Sequence, residues 1–142
     1  MSDTTPTVTC TWTGGRQFVH RSHTGHALVT DTPPEHGGGG TAPSPMELVV
    51  MGLAGCTAVD VASILEGMRQ PLRGLTVSAT YERADDHPRV FTRIALHYRL
   101  EGDLDPKRVE RAVALSQDKY CSVSAMLARG GVALAHTVEI QP

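Results

Sequence analysis

Between Ser44 and Met68 the chain reads SPMELVVMGLAGCTAVDVASILEGM, and its apolar positions recur so densely that they cover almost the whole circumference of a helix. Ser44 supplies an N-cap, Pro45 takes the first helical position, and Glu47 stands three residues after the cap as its reciprocal acceptor. The pattern predicts a helix over 44–68, buried on most sides, with Gly67 and Pro71 marking its exit. Cys56, Asp60 and Ser63 follow one another at i, i+4 and i+7, a polar stripe on one face of that helix. Before the helix the period is two. Thr7 to Thr13 alternates Val8, Cys10 and Trp12 with threonines, which predicts a half-buried strand and gives Cys10 a packing role. Gly14-Gly15 turns the chain, Arg16–Arg21 and Gly25–Thr30 predict two more short strands, and residues 7–30 together form a β-meander. Residues 31–43, DTPPEHGGGGTAP, read as a mobile crossover loop, because the four glycines lack the following Lys and Ser/Thr of a phosphate loop.

Residues 72–142 predict the order β-β-α-α-β. Leu75, Val77, Ala79 and Tyr81 alternate, a loop ADDHPR returns the chain, and Ile94, Leu96, Tyr98 and Leu100 share one face of the next strand, forming an antiparallel hairpin. Asp105-Pro106 opens a second helix whose buried stripe is Val109, Ala112, Val113, Ser116 and Tyr120. Ser122–Ala128 gives a short third helix ending at Gly130-Gly131, and Val132, Leu134, His136, Val138 and Ile140 mark a closing strand. This order specifies an α+β fold, with helices on one face of an antiparallel sheet, in a single domain spanning 1–142. A chain of that length can bury about 65–70% of its unfolded surface and needs no disulfide framework.

Composition narrows the function classes. Two Phe and one Trp leave the core to aliphatic residues, and a net charge of -2 with interspersed signs lacks the basic footprint of a nucleic-acid binder. The start, MSDTTPTVTC, has neither a basic n-region nor an apolar h-region. Glu47, Asp60 and Glu66 argue against a membrane span in the long helix, so a cytoplasmic protein without a membrane partner is expected. Cys10, Cys56 and Cys121 form no CxxC pair, so no zinc signature arises, and in a reducing compartment thiols that matter are redox or catalytic rather than structural. His20, His23 and His26 recur every third residue, yet odd spacing on a strand alternates faces and no acidic or thiol ligand completes a tetrahedral set; no metal is expected. A free cysteine on a buried helix is, taken alone, most often a small core residue. Cys56, however, shares the polar stripe, and Cys121 sits at a junction where the N–H groups of residues 122–124 could face it.

The segment SPMELVVMGLAGCTAVDVASIL, followed 65 positions after Cys56 by KYCSVSAML and then by a terminal strand ending HTVEI, closely resembles the OsmC/Ohr superfamily, above all its YhfA-like branch. The resemblance covers the chain from Trp12 onward. It implies an OsmC-like fold and an intertwined homodimer in which two long central helices pack together and each active site draws on both subunits; a partner helix would then cover an all-round apolar helix. In the peroxidase members the first cysteine is the nucleophile and the second resolves it. The resemblance therefore implies that Cys56 is peroxidatic and Cys121 resolving, in a thiol-dependent peroxidase that acts on small organic hydroperoxides, is reset by a thiol or dithiol, and uses no cofactor. It also implies a role for Arg16, because Gly14-Gly15-Arg16 looks like the superfamily's turn whose arginine stabilises the thiolate and polarises the peroxide. The superfamily's glutamate directly follows the helix-opening proline; here that position is Met46 and the acid stands at Glu47. Glu47 is the candidate catalytic acid by resemblance. Nine helical positions nevertheless turn it about 180° from Cys56, and it suits the Ser44 cap. Asp60 is the alternative acid on the Cys56 face, although a carboxylate beside a cysteine raises its pKa. Two rival readings remain: a non-catalytic binding module holding a small apolar ligand at a dimer-interface cleft, with the cysteines as packing, and a metal-binding stress protein using the histidines.

Overall fold

The computed structural model describes residues 5–142; Met1–Thr4, the start of the stretch read for a leader, lie outside the described residues. The chain divides into two compact units, one ending at Val49 and one beginning at Val50, and helix α1 (Pro45–Gly67) starts in the first and continues through the second.

In the first unit, β1 (Thr9–Gly14), β2 (Gln17–Arg21) and β3 (Ala27–Thr30) form an antiparallel meander in sequential order, with Trp12 opposite Phe18 and Phe18 opposite Thr30. Gly14 and Gly15 hold φ values of 121° and 57° at the β1–β2 turn, a conformation that glycine adopts without strain. The expectation of a half-buried first strand does not hold in the single chain. Val8 is 68% and Trp12 64% exposed, and Cys10 is exposed too. The loop after β3 is a folded anchor rather than a slack crossover. Asp31, buried at its base, accepts hydrogen bonds from the N–H groups of Thr32 at 2.7 Å, Thr41 at 3.1 Å and Gly39 at 3.4 Å, and from the Thr41 hydroxyl. These donors, the Thr41 hydroxyl foremost, hold its carboxyl at about 2. A Cβ on Gly38 would run into the Thr32 carbonyl, so the glycine there permits the tight fold. At the helix start the Ser44 Oγ accepts the Glu47 N–H at 3.2 Å and Glu47 Oε1 accepts the Ser44 N–H at 3.1 Å, a reciprocal cap.

In the second unit α1 buries one stripe, Val50, Leu53, Thr57, Val61 and Leu65, and leaves Met51 and Val59 half and more than half exposed. The helix is thus not buried on most sides within one chain. By length and composition alone it could cross a membrane, with a mean hydropathy of 2.0 over its best window; the same test is passed by core helices. The helix ends at Gly67, as the pattern predicts, and the chain turns away directly after it. Arg69, at φ 57°, takes the left-handed position, while the Gln70 N–H reaches back to the Leu65 carbonyl and the Arg69 N–H to that of Glu66.

Strand β4 (Gly74–Arg83) pairs antiparallel with β5 (Phe91–Glu101), whose Ile94, Leu96, Tyr98 and Leu100 are fully buried on one face. The last strand, β6 (Ala133–Gln141), pairs with β5 in parallel, so the sheet is mixed and not antiparallel as the pattern suggests. The cause is the connection: α2 (Pro106–Leu115) and α3 (Ser122–Arg129) carry the chain back over the sheet, and a helical crossover returns a strand in the same direction. Val109, Ala112 and Val113 of α2 complete the core, each large side chain contributing about 1.5–3 kcal/mol by leaving water. Asp105 caps α2 by accepting the Lys107 N–H at 3.0 Å. Between α2 and α3 the backbone widens over Ser116–Tyr120, and the Cys121 N–H bonds to the Ser116 carbonyl five residues back at 2.7 Å. That extra residue rotates the helix face. Tyr120, expected in the buried stripe, is half exposed, and Cys121 takes the inward position. The architecture is α+β, two three-stranded sheets and three helices among the described residues.

Candidate active site

Cys56 lies halfway along α1 and is partly exposed; Cys121 is buried, 2% exposed, at the start of α3. Both are free thiols, and they lie close enough to influence each other directly. The Cys121 Sγ serves as the N-cap of α3, accepting the Ser124 N–H at 3.4 Å, so the helix start faces a sulfur atom. Burial pushes the Cys121 thiol up; Ser124 pulls it back, and neighbouring Cys56 pushes it up again. At neutral pH Cys121 therefore keeps its proton and presents an S–H beside Cys56.

Beside the thiols runs a chain of buried hydroxyls. Ser116 Oγ donates to the Asp60 carboxylate at 2.9 Å, and Thr57 Oγ1 lies 2.7 Å from both Ser116 Oγ and the Tyr98 hydroxyl. The Gln117 amide nitrogen donates to Thr57 Oγ1 at 3.0 Å and to the Tyr98 hydroxyl at 2.9 Å, and its oxygen accepts the Ser124 hydroxyl at 3.2 Å. Because Ser116 donates to Asp60, it accepts from Thr57, which in turn accepts from Tyr98: the hydroxyl protons all point toward the carboxylate. Burial raises the Tyr98 pKa while its bonds with Thr57 and Gln117 lower it, so the phenol stays protonated and remains a donor. Every buried side-chain nitrogen and oxygen among the described residues has a partner.

The sequence pattern does not reveal this network. It places Tyr98 and Ser116 on packing faces and singles out neither Thr57 nor Gln117. One signal is present: Thr57 and Ser116 fall at the i+4 and i+3 positions of otherwise apolar buried stripes, where a hydroxyl requires a partner. Of the expected polar stripe, Asp60 joins the network through Ser116 and Ser63 is exposed. Glu47 is engaged at the helix cap with Ser44. Arg16 is exposed on the β1–β2 turn, its guanidinium 4.0 Å from where a Cβ on Gly37 would stand. His20 bonds Thr30 at 2.8 Å, His23 accepts the Thr7 N–H at 3.3 Å, and His26 bonds Thr24 at 2.9 Å. Among the described residues no group of three or more His, Cys, Asp or Glu could hold a metal ion. A shallow groove of about 220 Å³ lined by Ser78, Thr80, Arg93, His97 and Thr137 carries neither thiol.

The family model for OsmC-like proteins matches residues 37–137, a span that includes both cysteines and the whole hydroxyl network, and the chain belongs to that family. Protein YhfA of Escherichia coli K12 is 43% identical to it over 130 residues, covering 91% of this chain and 93% of that one. The crystal structure of a hypothetical protein from Aquifex aeolicus VF5 matches with a TM-score of 0.84 at 27% identity, over 96% of each chain. That of an organic hydroperoxide resistance protein OsmC from Legionella pneumophila matches with a TM-score of 0.74 at 23% identity, over 98% of this chain and 99% of that one; the second likeness speaks for the fold alone.

Proposed function

We propose that the protein reduces organic hydroperoxides with a thiol pair, Cys56 attacking and Cys121 resolving. One observation carries this reading: two cysteines 65 positions apart lie near enough to perturb each other, one partly exposed and the other buried and held by a helix start. Membership of a family that includes a protein named for organic hydroperoxide resistance supports it. In the first step the Cys56 thiolate attacks the outer peroxide oxygen, the O–O bond breaks, the alkoxide takes a proton and leaves as alcohol, and Cys56 becomes a sulfenic acid. In the second the Cys121 sulfur attacks the Cys56 sulfur, the S–O bond breaks, and hydroxide leaves with the Cys121 proton as water. A dithiol then reduces the resulting disulfide by exchange and is itself oxidised.

In this reading Arg16 stabilises the Cys56 thiolate, as the turn resemblance implies, and Glu47 serves the helix cap. The protein works as a cytoplasmic homodimer. Met51 and Val59 lie exposed along α1, and a Cβ on Gly52 or Gly55 would meet nothing within 4 Å, which leaves a smooth apolar surface suited to a second central helix. The test is to treat the reduced protein with cumene hydroperoxide and map disulfides by mass spectrometry. A Cys56–Cys121 bridge that forms in the wild type and is abolished in Cys56→Ser, together with peroxide consumption, supports the reading. Thiols that stay reduced would sink it in favour of a binding module.

A further inference from the structure

We infer that Gln117 is a positioning residue for disulfide closure, holding the two cysteine-bearing elements in register; this rests on the thiol-peroxidase reading above. Three observations converge on it. First, its single amide spans both elements: the nitrogen bonds Thr57, which directly follows Cys56 on α1, and the oxygen accepts the hydroxyl of Ser124, whose own N–H donates to the Cys121 sulfur. Second, the amide orientation is determined. Thr57 must donate to Ser116 because Ser116 donates to Asp60, so only the NH2 end of Gln117 can face Thr57 and Tyr98, and both of its hydrogens are used there. Third, Gln117 sits in the widened turn Ser116–Tyr120, the same backbone feature that swings Cys121 inward, and such turns are frequent at functional sites.

Closure requires the Cys121 sulfur to approach the Cys56 sulfur in line with the breaking S–O bond. Loss of alignment between the carriers slows that step without touching the first, in which Cys121 takes no part. Gln117→Leu keeps much of the side chain's bulk and removes every donor and acceptor. With cumene hydroperoxide as the probe, sulfenic acid formation at Cys56 should stay within about twofold of wild type while closure slows about tenfold or more, so that dimedone captures Cys56 sulfenic acid that wild type does not accumulate. Gln117→Glu supplies a reading that a role in packing alone would not move. The introduced carboxylate cannot donate to Thr57 and Tyr98, whereas its protonated form can donate once. The closure rate of this variant relative to wild type should therefore rise as the pH falls through the pKa of the introduced carboxyl group. A folded Gln117→Leu that closes at the wild-type rate, or a Gln117→Glu ratio flat with pH, overturns the inference and leaves the thiol-pair reading standing. Wild-type protein that forms no Cys56–Cys121 bridge overturns both. Should Gln117→Leu fail to fold, the Gln117→Glu pH profile decides alone.

Discussion

Among residues 5–49 the buried side chains are Thr30 and Asp31, both polar; among residues 50–142 they include Leu53, Val61, Leu65, Ile94, Leu96, Leu100, Val109 and Val113. The first unit therefore draws its order from directed bonds, the Asp31 clamp and the Ser44–Glu47 cap, and a three-stranded sheet with so little burial is marginal on its own. The second has a core that excludes water, and only inside such a core does a line of hydroxyls become a rigid part, because any broken link leaves an unsatisfied group in a low dielectric. The contrast places precision where the thiols are and leaves the meander dependent on whatever covers its apolar residues.

Four measurements sharpen or break this contrast. Leu53→Ala, at a fully buried position, should cost about 2–5 kcal/mol in denaturant unfolding, and a cost near zero would mean that the second unit lacks the core described. Thr57→Val removes the hydroxyl at the centre of the network and should cost about 2 kcal/mol, although the two side chains match in shape, since Tyr98, Ser116 and Gln117 each lose a partner. Ser44→Ala should cost about 1 kcal/mol by removing the cap. Val29→Thr, on the exposed face of β3, should stay within about 0.5 kcal/mol; a much larger loss would show that this surface is covered in solution.

The Asp31 clamp is read by pH. Its carboxyl titrates at about 2 in the folded protein against 3.8 ordinarily, so between these values the unfolded chain binds the proton first. The clamp's contribution is complete above about pH 4 and is lost as pH falls toward 2. Asp31→Asn should flatten that acid limb of the stability curve, and an unchanged limb would remove Asp31 from the account of the loop.

Much of the fold is legible in the sequence because the signals that carry it are local. Ser44, Pro45 and Glu47 mark the start of α1, Asp105-Pro106 that of α2, and the alternation of Ile94, Leu96, Tyr98 and Leu100 marks the inward face of β5, all through chemistry acting within a few residues. The three cysteines and their spacing are legible as well, along with their resemblance to a family. Solvent exposure of β1 is not, since a period of two states which residues share a face and not whether anything lies against it.

The sequence by itself determined where the helices begin, which strand face turns inward and which residues could carry sulfur chemistry, because each depends on neighbours one to four positions apart. Only the tertiary structure decided that β6 runs parallel to β5, that one widened turn exchanges Tyr120 for Cys121 at the buried position, and that Thr57 meets Tyr98, Ser116 and Gln117 across 41, 59 and 60 residues of chain. Hydrogen bonds over such separations form only after loop closure has been achieved by the core, so no local pattern encodes them.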